Sequence, residues 1–196
     1  MTASGPVRIR LANPERDAEA VASIYADGVE RTVASFEESA PAPDEMAERM
    51  RRTLQHTPWL VAEVGGMVVG YAYAGPHHAR PGYRWSVNLS AYVMAGHRGR
   101  GIGRLLYDDL LHLLRRQGFV NAYAGVTLPN PASERLHAAI GMRRFAVYRR
   151  VGFKQGAWHD VAWYELRLAN PEGSPPEPVP LPDLPDGPMD VASGSA

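Results

Sequence analysis

Val93-Met94-Ala95-Gly96-His97-Arg98-Gly99-Arg100-Gly101-Ile102-Gly103-Arg104 closes a run of alternating residues and opens a run at helical spacing. Gly99, Gly101 and Gly103 stand at every second position and clear side chains away, so that successive backbone N–H groups can face one anion. The helix that follows points the positive end of its dipole at the same place. Arg98, Arg100 and Arg104 add charge, and the stretch reads as a seat for a pyrophosphate. Two common phosphate loops are excluded by spacing. A dinucleotide fingerprint needs Gly at 104 or 106, where Arg104 and Leu106 stand, and the Walker spacing from Gly96 to Gly101 is followed by Ile102 rather than Lys.

Upstream, a strand is expected from about Tyr83 or Arg84 to Val93 or Met94. Trp85, Val87, Leu89, Ala91 and Val93 fall on one face, and Ser86, Asn88, Ser90 and Tyr92 on the other. That polar row runs toward the glycine loop and meets either water or a polar ligand. Downstream, Ile102, Leu105, Leu106, Leu110, Leu113 and Leu114 form a helical apolar stripe, with Tyr107 placed off it and read as packing. After Gln117-Gly118 comes a strand over residues 119–128. Strand, loop, helix and strand then make a right-handed crossover with a parallel pair.

The remainder fits around this unit. Residues 7–11 alternate as a strand; Asn13-Pro14 cap and open a helix that fades near Thr32-Val33, before a loop carrying Phe36. Pro41, Pro43 and a capping Asp44 start a second helix that runs to about His56. Residues 59–64, the turn Gly65-Gly66 and residues 67–74 make a hairpin. A short helix over 132–139 stops at Gly141, and residues 142–151 and 157–168 pair over a turn holding Gly152, Lys154 and Gly156. The expected class is α/β, a mixed and mainly antiparallel sheet flanked by helices, with residues 1–168 as one domain. From Ala169 the chain is proline-rich and nearly free of recurring apolar residues, so 169–196 reads as a flexible tail whose start can lie extended across the domain.

Composition narrows the function. Twenty-one basic and twenty-one acidic side chains cancel, so no global field recruits nucleic acid or an anionic membrane. Paired arginines at 115–116, 143–144 and 149–150 accompany no nucleic-acid recognition motif. The absence of cysteine removes disulfides, thiolate metal ligands and a thiol nucleophile; neither metal nor membrane is expected, and the location is expected to be cytoplasmic.

Arg98-x-x-Gly101-x-Gly103 at a helix start, a strand ending in Val93, and Asn130 followed by Ser133, Leu136, His137 and Gly141 resemble the GCN5-related N-acetyltransferase (GNAT) superfamily over about residues 7–168. The strings at 59–63, 71–76, 128–130, 152–154 and 158–161 are similar to its phosphinothricin N-acetyltransferase branch. That resemblance implies a sheet whose parallel pair splays at the cofactor site, and acetyl-CoA as cosubstrate for acetylating the amino group of a small amino acid such as phosphinothricin or methionine sulfoximine. It implies that the N–H groups of Arg98, Gly99, Arg100, Gly101, Ile102 and Gly103 hold the CoA pyrophosphate, with Arg98 and Arg104 as ionic partners. It also places the backbone of Val93 on pantetheine and the thioester oxygen, and Asn130 with Ser133 on the pantetheine arm. Asn130 reads equally as a helix N-cap. His137, where many members carry tyrosine, is implied to protonate the departing thiolate, with Tyr107 as a second catalytic candidate. Phe36, Arg80, Tyr83, Ser90 and Tyr92 are implied around the acceptor, and a homodimer is expected.

Asn88 departs from that branch, which has an acidic base at its position. An amide has no useful basicity, although it can hold a water or an amine. No Asp or Glu lies between Glu63 and Asp108, and His77, His78 and His159 are the nearest competent types. A working acetyltransferase with a changed deprotonation route is one reading; an acetyl-CoA-binding sensor that lost its base is the other. Acetylation of protein termini or lysines is a third, weaker choice, because the loops around Phe36 and at 77–82 look able to close over a small acceptor.

Overall fold

The computed structural model describes residues 5–185. Seven strands form one sheet in the order β1-β2-β3-β4-β5-β7-β6, with β1 Val7–Leu11, β2 Trp59–Val64, β3 Met67–Pro76, β4 Ser86–Val93, β5 Asn121–Thr127, β6 Arg143–Lys154 and β7 Ala157–Arg167. Every neighbouring pair is antiparallel except β4 and β5. Helices α1 (Pro14–Arg31) and α2 (Pro43–Leu54) cover one face through Val21, Tyr25, Met46 and Met50 on Trp59, Val61 and Tyr71. Helix α3 (Ile102–Gln117) covers the other through Ile102, Leu106, Leu110 and Leu113 on Leu60, Ala72, Val87 and Ala122. The short α4 (Pro131–Ala139) packs beside α3.

Several boundaries differ from those read in the sequence. The fourth strand begins at Ser86, because Pro81–Tyr83 first make a turn of 3₁₀ helix. Asp44 does not cap α2; Ala42 holds that position without a side-chain bond. Gly152 and Lys154 lie within β6, leaving the turn to Gln155 and Gly156. On α3 the buried stripe is rotated: Leu105 is 44% exposed, whereas Tyr107, Leu111 and Gln117 are buried. Tyr107 therefore sits in the core side of the helix, and Leu105 gives way to it. The polar row on β4 is not a solvent-facing surface at its far end, since Tyr92 stacks on Tyr71 and meets Tyr25 edge-on under α1.

The first part of the tail lies against the domain. Leu181 and Leu184 are buried in the α3-side core, and the Val179 and Leu181 N–H groups donate to the Gln117 and His56 carbonyls. The buried Gln117 side chain in turn donates to the carbonyls of His56 and Val179. Two leucines spaced three apart among prolines are too sparse to read as periodic, yet they suffice to seat a chain that proline has already stiffened. The remainder of the expected tail, residues 186–196, lies outside the described residues.

The α1 end of the sheet is locked by a buried ion pair. The Arg10 guanidinium grips both oxygens of Asp17 at 2.6 and 2.9 Å, and the Asn13 N–H donates to the same carboxylate. Burial pushes the Asp17 carboxyl up, but these bonds outweigh it and hold its pKa below the ordinary value.

Candidate active site

The parallel pairing of β4 and β5 is brief. Ser86, Val87 and Asn88 sit opposite Asn121, Ala122 and Tyr123, and the register then stops. Leu89 to Val93 and Ala124 to Thr127 diverge and open a cleft of about 670 Å³, into which α1, the glycine loop, α3 and α4 also project. The Met94 N–H donates to the Val69 carbonyl on the β3 side, so by strand alternation the Val93 N–H faces the cleft. The Val93 carbonyl on that side accepts from Arg98 Nε at 2.9 Å.

At the loop, Gly99 and Gly101 take φ of +74° and +80°, a region that costs other residues strain. Gly101 is the α3 N-cap and offers no side chain. The first-turn N–H groups of an α-helix have no acceptor within it, and here they open onto the cleft. Gly103 serves packing as well: a Cβ there would stand 3.0 Å from Leu136, so it sets how closely α4 approaches α3. The arginines divide their tasks. Arg98 is bound to Asp27 at 3.0 Å as well as to Val93, which ties the loop to α1, and Arg100 lies 3.3 Å from the buried His97. Arg104 is mostly exposed, paired only at 3.5 Å with Asp108, and lines the cleft with Arg135, which sequence reading passed over. Arg135 carries no signal beyond a charged residue on a short helix. Thr32, Val33 and Ala34, also missed, close the α1 side.

Asn130 is the N-cap of α4, its Oδ1 accepting from the Ser133 N–H at 3.1 Å. The cap uses only Oδ1, and the residue lines the cleft. His137 and Tyr107 meet in the cleft wall. His137 Nδ1 lies 2.7 Å from the Ser133 carbonyl, which can only accept, so Nδ1 carries the proton and Nε2 holds the lone pair. Nε2 is 3.4 Å from the Tyr107 hydroxyl, which then donates. Burial lowers the His137 pKa, only partly offset by the Ser133 carbonyl, and keeps the ring neutral. Burial also pushes the Tyr107 phenol well up. The hydroxyl proton is thus directed at His137 Nε2 within this wall.

The acceptor candidates are spread over two cavities. Ser90 and Tyr92 line the cleft, whereas Arg80 and Tyr83 line a second cavity of about 840 Å³, bounded by α2, Trp59, Tyr73, Ser86 and residues 177–180. Phe36 lies over Gly152, where a Cβ would overlap its ring. It pins the α1–α2 loop to the β6–β7 hairpin, a tie that Lys154 completes by donating to the Val29 and Ser35 carbonyls. Ser86, Asn88 and Ser90 are successive residues on one face of β4, roughly 7 Å apart. Asn88 therefore stands where the two cavities approach each other. Its Oδ1 is 2.8 Å from His77 Nδ1. The His77 ring lies against Tyr123 at 4.4 Å and near Tyr83 at 6.0 Å.

A strand pair that parts beside a glycine-opened helix start is the arrangement the sequence resemblance implies, and the family profile agrees: residues 9–163 match the acetyltransferase (GNAT) domain. The chain belongs to the GNAT acetyltransferase family. A phosphinothricin N-acetyltransferase of Streptomyces viridochromogenes is 40% identical, the match covering 89% of this chain and 93% of that protein. An L-methionine sulfoximine/L-methionine sulfone acetyltransferase of Salmonella typhimurium is 36% identical over 82% of this chain and 93% of its own. Among solved structures, a GNAT phosphinothricin acetyltransferase from Sinorhizobium meliloti in complex with acetyl-CoA superposes with a TM-score of 0.83 at 33% identity, covering 88% of this chain and 95% of that one. This GNAT protein is thus an enzyme of the acetyltransferase class, built on a mixed seven-stranded sheet. Among the described residues no cluster of His, Asp and Glu is arranged for a metal, and no helix is long and apolar enough to cross a membrane.

Proposed function

We propose that this protein transfers the acetyl group of acetyl-CoA directly to the primary amine of a small amino acid or analogue, of the phosphinothricin or methionine sulfoximine kind, within a ternary complex. The observation that carries this reading is the parting of β4 and β5 after Asn88 and Tyr123, between a cleft suited to CoA and a cavity bearing a cation. The cleft fits the cosubstrate: backbone N–H groups and Arg104 would take the pyrophosphate, Asn130 and the unpaired β4 edge the pantetheine amides, and Val93 N–H the thioester oxygen. Acetyl-CoA supplies an activated acetyl group. Tyr107 turns its hydroxyl proton away from His137 Nε2, 3.4 Å off, and gives it to the departing sulfur. Arg80 has no ion pair among the described residues, and its planar guanidinium suits a carboxylate or phosphinate. Acetylation of a toxic amino acid would confer resistance to it.

The test is thiol release from acetyl-CoA with a panel of amino acids, beside acetyl-CoA binding by calorimetry. Turnover with a phosphinothricin-type acceptor supports the enzyme reading. Tight binding without turnover supports the sensor reading, which Asn88 favours. We also propose a cytoplasmic homodimer: Phe145, Tyr148, Val151 and Phe153 of the edge strand β6, with Trp158, expose a broad apolar surface. Sedimentation at micromolar concentration tests it, with a monomer as the contrary result.

A further inference from the structure

With Asn88 unable to act as a base, something else must receive the acceptor's proton. We propose that His77 is that base, with Asn88 as the residue that positions it; this rests on the acetyltransferase reading above. Asn88 Oδ1, 2.8 Å from His77 Nδ1, accepts a hydrogen bond. That places the ring proton on Nδ1 and leaves the Nε2 lone pair free to take a proton. The amide does for imidazole what a carboxylate does in other dyads, fixing tautomer and ring plane, without adding charge.

Position agrees with the role. His77 follows the last β3 residue and keeps the ladder going, its N–H donating to the Ser86 carbonyl. It therefore shares the face of Asn88, next to the last parallel pair before the strands part. Tyr123 packs on the ring, Tyr83 stands at 6.0 Å, and Trp163 meets it edge-on at 6.4 Å. Trp163 Nε1 is buried without a hydrogen-bond partner among the described residues, an unused donor close to the ring. Other titratable or charged groups on this side are His78, tilted against Tyr83 at 4.9 Å, His56, Arg80 and Glu177 of the second cavity, and Glu165, opposite Tyr123 and paired with Arg143. His159 lies farther along β7; its Nε2 bonds the Lys154 carbonyl, and it stands by Phe36.

In the step, His77 Nε2 takes one proton from the acceptor ammonium. The freed amine lone pair forms the C–N bond to the thioester carbon as the C–S bond breaks, and the sulfur keeps the bonding pair. Tyr107 protonates the sulfur and is restored by the second proton that nitrogen must lose; His77 returns its proton to water. One amide, one thiol and one proton result.

The experiment compares wild type, His77→Gln, Asn88→Ala and the double variant His77→Gln/Asn88→Asp across pH, with acetyl-CoA affinity by calorimetry and imidazole tautomers by ¹⁵N NMR. His77→Gln should lower kcat about 10²-fold or more, flatten the acid side of the pH–rate profile, and leave acetyl-CoA affinity unchanged. Asn88→Ala should cost less in kcat and shift the His77 ring away from the Nδ1–H tautomer, which a purely structural role would not do. The double variant should regain at least about 10-fold over His77→Gln, because a carboxylate again stands at the junction. A His77→Gln enzyme within about threefold of wild type with the acid side of its profile intact overturns the proposal. A wild type that binds acetyl-CoA and acetylates no amine overturns the enzyme reading itself, an outcome distinct from a working enzyme indifferent to His77.

Discussion

The two sides of the β4–β5 junction are built differently. On the cleft side one continuous stretch, Val93 to Gly103, supplies a strand end, a left-handed glycine at the α3 N-cap and a helix start, and backbone atoms make most of the site. On the other side the groups are side chains from distant segments: His77 after β3, Arg80 and Tyr83 in the following loop, Asn88 on β4, Tyr123 on β5 and Trp163 on β7. A backbone site tolerates little change and keeps one ligand. A side-chain site can be altered one residue at a time.

This contrast can be broken by substitution. The largest effect on the cleft side is expected from Tyr107→Phe, which keeps the packing and removes the proton: kcat should fall about 10²–10³-fold with acetyl-CoA affinity preserved. An unchanged kcat would show that solvent protonates the thiolate. Next comes Gly101→Val. A β-branched residue at φ +80° carries strain of about 1–3 kcal/mol and crowds the N–H groups, so calorimetry should show acetyl-CoA affinity about 10- to 100-fold weaker. On the acceptor side Arg80→Lys should raise KM for amino acids about 10-fold and leave KM for acetyl-CoA alone. Equal changes in both constants would mean that the two cavities are not separate subsites.

The smallest effect concerns pH. His137 has a lowered pKa in the folded protein, so the unfolded chain takes up the proton first as pH falls. Its contribution to stability is intact above about 6.5 and declines below it, by up to about 1.4 kcal/mol per pH unit until the folded value is passed. His137→Asn should flatten that part of the stability–pH curve in denaturant titrations; the same slope in the variant would assign it to another group.

The asymmetry also explains what sequence reading reached. The crossover with its parallel pair, the two hairpins and the glycine loop were legible because each rests on local spacing, and Asn130 was legible as a helix cap. Tyr107 was misplaced because a stripe of one isoleucine and five leucines masks a buried polar tip; its partner on α4 is visible only in the fold. Arg98 was legible as part of the loop but not as its tie to Asp27, 71 residues away. The split of Arg80 and Tyr83 from Ser90 depends on where β4 and β5 part, which alternation along one strand cannot reveal. The docking of Leu181 and Leu184 escaped for a similar reason, since two isolated leucines carry no period.

The most direct measurement is acetyl-CoA-dependent formation of an N-acetyl amino acid, followed by mass spectrometry alongside thiol release, with phosphinothricin and methionine sulfoximine among the acceptors. The expected result is one acetyl group on the α-amine per thiol released, saturable in both substrates. Acetyl-CoA binding with no acetylated product from any acceptor, or thiol release without product, would contradict it.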